Sequence, residues 1–126
     1  MKLHLTTAEN NNLITAYSES YIEINKRRYS HSLIVTPKKL MTDWNVADFT
    51  VLTAQHIATI ADFDLEHSAE VILLGTGEKH QFLHPKIYQS LTAKGIPLEC
   101  MTTAAACRTY NILMSEGRNV SAALIL

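Results

Sequence analysis

The rhythm of hydrophobic and polar positions changes along the chain. In the first third, Leu13-Ile14-Thr15-Ala16-Tyr17 and Tyr21-Ile22-Glu23-Ile24 are short segments rich in β-branched and aromatic residues. Ile22 and Ile24 alternate with Tyr21, Glu23 and Asn25, as expected for a strand with one buried face. Asn25-Lys26 predicts a tight turn, because asparagine tolerates positive φ. Ser32-Leu33-Ile34-Val35 predicts a strand stopped by Pro37, and Leu40 to Trp44 a further edge strand. Thr53 can cap a short helix whose Ile57, Ala58 and Ala61 share one side. The stretch "DFDLEHSAE" reads as a polar connection within one domain.

From Glu70 onward the pattern is different. Val71-Ile72-Leu73-Leu74 is a continuous apolar run, read as a strand, that ends in Gly75-Thr76-Gly77. Pro85 suits the first turn of a helix through Lys94, with Gly95 at its end. Ile87, Tyr88 and Leu91 line one face of it. Ile96 to Met101 predicts a strand, a helix follows from about Thr103 to Glu116 closed by Gly117, and Val120 to Leu126 predicts a third strand. This β-α-β-α-β order implies a parallel sheet with right-handed crossovers. The fold expected is a single three-layer α/β domain over residues 1–126. It has a mixed sheet, the parallel unit at its C-terminal end, and an N-terminal β-hairpin excursion.

Composition narrows the functional classes. With 126 residues, 47% hydrophobic and 18% charged, a packed core needs no disulfide or metal. A formal charge of −1 gives no general attraction to nucleic acid or anionic lipid. Lys26-Arg27-Arg28 is a lone basic cluster, read as a solvated turn. Cys100 and Cys107 match neither a CxxC pair nor a zinc ribbon. The N-terminal Met1 to Leu5 is too short and polar to open a signal peptide, and no apolar run reaches membrane-span length. A reduced, cytoplasmic protein without direct membrane insertion is the expectation.

Parallel topology gives two distant motifs a common address. The strands at 71–74 and 97–101 end on the same sheet edge, where open α/β sheets usually bind ligands. Gly75, Thr76 and Gly77 leave one end; Thr102 and Thr103 leave the other. "GTGEKHQFLH" is neither a P-loop nor a dinucleotide fingerprint, so the glycines chiefly let the chain turn out of the sheet. On the following helix, Thr103, Ala106, Cys107, Tyr110, Leu113 and Met114 share one broad face, and Arg108, Asn111 and Ser115 the other. Cys107 therefore reads as a small buried hydrophobe, and Tyr110 as a core residue whose hydroxyl needs a partner. The first turn carries no carboxylate, so its N–H groups, two hydroxyls and Arg108 could form an anion-binding corner. The alternative for Arg108 is an ion pair with Glu78 or Glu116. Histidines 4, 31, 56, 67, 80 and 84 form no zinc pattern, and Asp43, Asp48, Asp62 and Asp64 single out no acid–base pair. No catalytic set, metal or cofactor is predicted.

"EVILLGTG" followed by "AKGIPLECMTTAAACRTYNILMSEGRNVSAALIL" resembles a family of small α/β proteins of largely unknown biochemical function. That family includes the mitochondrial respiratory complex I assembly factor and adipogenesis-associated proteins. "INKRRYSHSLIVTP" and the "DW" after it resemble the family's N-terminal half, so the likeness spans nearly the whole chain. It implies a single α/β domain with a hairpin excursion, no established enzyme activity and no obligatory cofactor. Family members commonly carry Asp where Thr102 stands and proline where His84 stands. Thr102 can still cap the helix, so the resemblance implies a structural role for that position. The function expected is a non-enzymatic protein-interaction or assembly module whose partner is a protein; self-association is compatible with it. The alternative is a small-anion or metabolite binder, or an enzyme, using Gly75, Thr76, Gly77, Thr102, Thr103 and Arg108.

Overall fold

A computed structural model describes residues 10–126, so the readings made on Met1 to Leu5 and on His4 lie outside the described residues. Three strands, β1 (Ile14–Tyr17), β2 (Ile22–Ile24) and β3 (Arg27–Tyr29), form an antiparallel meander. The expected turn joins β2 to β3: Asn25 (φ 52°) and Lys26 (φ 72°) are both left-handed, as a two-residue hairpin loop requires. The expected hairpin excursion is thus a three-stranded sheet of its own. Only Lys26 of the basic cluster sits in the turn. Arg27 and Arg28 lie in β3 instead, because Glu23 faces Arg28 across the ladder and accepts from its Nε at 3.4 Å.

The second sheet has the order β5-β4-β8-β6-β7. Its members are β4 (Leu33–Val35), β5 (Leu40–Met41), β6 (Val71–Gly75), β7 (Leu98–Met101) and β8 (Val120–Leu124). β6 pairs in parallel with β7 and β8, whereas β4 pairs antiparallel with β8 and β5. The expected parallel unit and mixed sheet are both present. Every residue of β6 and β8 is buried, Ser121 included, which matches the unbroken apolar run of β6.

One face of this sheet carries the meander and helix α3 (Thr103–Ser115), with Ile22, Ile24, Leu73, Tyr110 and Met114 in a common core. The other face carries α1 (Ala54–Asp62) and the short α2 (Gln89–Ala93) over Ile72 and Leu74. Several boundaries differ from expectation. The edge strand ends at Met41, and Trp44 turns into the second core. Helix α1 buries Ile57 and Ile60, with Ala58 and Ala61 at the margin, because the larger side chains take the deep positions. The helix begun by Pro85 is a 3-10 turn (Pro85–Tyr88) before α2. The polar connection holds a 3-10 turn whose Asp64 is buried, accepting from the backbone N–H and ring of His67 and from Thr36.

Candidate functional site

The sheet's carboxyl edge brings the glycine loop and the start of α3 together. Thr76 takes the chain out of β6: its N–H donates to the Met101 carbonyl at 2.8 Å and its hydroxyl to the Lys79 carbonyl at 2.5 Å. Gly77 (φ 100°) then turns back over α3. Its N–H donates to the Thr103 hydroxyl at 2.9 Å, and its carbonyl accepts from the Thr103 N–H at 2.9 Å. The same hydroxyl donates to the Ile125 carbonyl at 2.6 Å. Thr103 is therefore a joint that fixes loop, helix and the end of β8 at one point. Beneath it, a Cβ on Gly75 would stand 2.9 Å from both Cα and Oγ1 of Thr103, so only glycine lets the helix approach this closely.

These bonds bear on the anion corner. Thr102 caps α3 as expected, accepting from the Ala105 N–H at 3.2 Å. With the Thr103 N–H also engaged, both hydroxyls and two first-turn amides have partners within the chain. Among the described residues no carboxylate lies within ion-pair distance of Arg108; its guanidinium donates to the Tyr17 hydroxyl at 3.1 Å, a partner in β1 rather than Glu78 or Glu116.

A hollow of about 410 Å³ lies above the joint. Gly77, Thr102 and Thr103 line it, together with Tyr17, Glu19 and Glu78. Thr76 lines a neighbouring hollow of about 400 Å³; Gly75 is packed below, and Arg108 stands to one side. Of the six residues singled out in the sequence, three share the hollow and three support or flank it. Glu19, at the tip of the β1–β2 hairpin, was not singled out. Its carboxyl is held above the usual range by a hydrogen bond with Glu78, by that neighbour's charge and by slight desolvation. The hollow is acidic at its rim.

Helix α3 carries no exposed thiolate. Cys107 is fully buried, and burial pushes its thiol up to about 12 against the opposing pull of Arg108. The Tyr110 hydroxyl finds its partner in the Asn12 carbonyl, at 2.7 Å. Asn111, assigned to the polar face, instead clasps β1. Its amide donates to the Ile14 carbonyl at 2.7 Å and accepts from the Ile14 N–H at 3.0 Å. Among the described residues no group of three histidine, cysteine or acidic side chains could hold a metal ion. Local partners account for several: His56 completes the Thr53 cap, His84 accepts from the Lys86 N–H, and Asp62 pairs with Lys94.

A family model described as protein of unknown function (DUF498/DUF598) matches residues 14–125, from the first meander strand to the end of the joint. The chain belongs to this family. The mouse NADH dehydrogenase [ubiquinone] 1 alpha subcomplex assembly factor 3 is 33% identical over 112 residues, covering 89% of this chain and 59% of the mouse protein. This chain thus spans about three-fifths of the length of that relative. A 13 kDa major membrane protein of Francisella tularensis is 32% identical over 86% of each chain. Among solved structures, a Bordetella parapertussis protein superposes with a TM-score of 0.86 at 40% identity, covering 94% of this chain and 98% of the other. A Bordetella pertussis protein, described as a Mth938-like domain, gives 0.81 at 34% identity, over 90% and 85%. Among the described residues no helix is long and apolar enough to cross a membrane.

Proposed function

We propose that this protein works by holding other proteins, as an assembly-factor-like module, and not through a reaction of its own. The observation that carries this reading is the 33% identity to the assembly factor over 89% of the chain. That relative's name assigns it to assembly of the NADH dehydrogenase 1 alpha subcomplex, and the analogous role here is association with subunits of a larger complex. The geometry is in keeping with it. The hydroxyls and amides at the start of α3 tie the fold together, which leaves little polar machinery for chemistry. A cytoplasmic location belongs to the same proposal.

A second reading is a small-molecule pocket built on Gly77, Thr102 and Thr103, favoured by the hollow above them. Affinity purification of tagged protein from native lysate, with Arg108→Ala alongside, tests the first reading. A specific protein retained at stoichiometric yield is expected, whereas repeated recovery of the protein alone would count against association. A thermal-shift screen of phosphate, sulfate and small carboxylates tests the second, which predicts a raised Tm with at least one of them.

A further inference from the structure

The hollow above the joint is one part of a longer groove. Its neighbour shares Glu19, Gly77, Glu78, Ile125 and Leu126 with it. A third hollow, of about 480 Å³, meets the second at Ala47 and Leu126 and continues past Trp44 to Ser30 and His31. Topology explains the continuity. β6, β7 and β8 end on this edge, β4 starts there, and β5 runs out toward it. Five strands at about 4.8 Å spacing span about 19 Å, the length of about six residues of extended chain.

The groove has one sign of charge. Glu19, Glu78, Asp48 and Asp43 line it, and no lysine or arginine does among the described residues. Composition does not account for this, since 11 lysines and arginines balance 12 acids in the whole chain. Tyr17, Phe49, Ile125 and Leu126 supply an apolar floor. We infer that the groove receives an extended, lysine- or arginine-rich segment of a partner protein, its cationic heads between the carboxylates and its aliphatic stems along the floor. This deepens the association reading above and rests on it. The Glu19–Glu78 pair supports it: both carboxyls line the same two hollows, Glu78 raises Glu19, and such a pair gains from a cation placed between them.

The test is an amide NMR titration with a peptide of alternating lysine and alanine, about eight residues long, and with its glutamate counterpart. The lysine peptide is expected to shift Gly77, Glu78, Ala104 and Leu126 saturably, and the glutamate peptide is not. Affinity should fall about tenfold in Glu19→Gln/Glu78→Gln, whose exposed positions leave the fold intact, as circular dichroism would check. Shifts on another face, or equal affinity in the variant, would overturn the inference. So would spermidine matching the peptide in shifts and affinity, which indicates a polyamine site, or a self-dimer abolished by the variant. Lysate capture separates the two proposals. A partner retained equally by wild type and variant removes the groove and keeps association; peptide binding in the groove with no partner captured does the reverse.

Discussion

The two faces of the central sheet are covered in different ways. On one, directional bonds between parts of the chain far apart in sequence fix the cover. Tyr110 reaches Asn12, Asn111 clasps Ile14, and Arg108 meets Tyr17. On the other, α1 and α2 lie on Ile34, Ile72 and Leu74 through apolar contact, and side-chain bonds mostly close local turns, as Thr53 does with His56. Even Trp44 buries its indole N–H there with no hydrogen-bond partner among the described residues, its ring perpendicular to that of His56. Apolar packing is roughly indifferent to small shifts, whereas a bidentate amide is not. The difference follows from what each face must hold. The meander has to set Tyr17 and Glu19 at a defined place over the start of α3, whereas the α1–α2 core contributes the apolar Ile125 to the hollow above Thr103.

Substitution at the joint should have the largest effect. Gly75→Ala should cost about 2–3 kcal/mol, since the new Cβ meets backbone and cannot be relieved by a rotamer change; urea denaturation reads this out. Asn111→Ala comes next, at about 2 kcal/mol, because two backbone groups of Ile14 lose their partner. Hydrogen exchange should then quicken in β1–β3 and stay unchanged in α1, which separates loosening of one face from global loss. On the other face, Thr53→Ala should cost about 1 kcal/mol, the usual effect of losing a helix cap, with protection of the meander untouched.

At neutral pH the smallest effect concerns the thiols. Cys107 should resist an aromatic disulfide reagent at pH 8 in the folded protein, while half-buried Cys100 reacts slowly. The raised Cys107 value also fixes a sign. Its contribution is complete below the ordinary thiol value of about 9 and is lost as pH climbs toward about 12, so stability should decline in alkali and not in weak acid. Cys107→Ser should flatten that alkaline decline.

Much of the fold can be read from the chain because its punctuation is local. The unbroken run at 71–74, glycines 77, 95 and 117 at positive φ, and Thr102 ahead of an alanine-rich turn each state their element within a few residues. Gly77, Thr102 and Thr103 meet because parallel strands must end on one edge. The meander's docking is different. Asn111 lies 97 residues from Ile14, and no local pattern marks a polar-face asparagine as a clasp. Glu19 joins the site only through that docking, so its pairing with Glu78 leaves no trace in sequence spacing. The strand at Arg27-Arg28 had one available signal: once Asn25-Lys26 is a two-residue turn, Glu23 must face Arg28.

The most direct test of an association that runs through an acidic edge is partner retention against rising sodium chloride. Wild type and Glu19→Gln/Glu78→Gln would be immobilised side by side and exposed to the same native lysate. The wild-type complex should hold near 0.1 M salt and release by about 0.5 M, as screening closes in to a few ångströms, and the double variant should release earlier. Retention that is identical in both and indifferent to salt, or no retained protein at all, would contradict it.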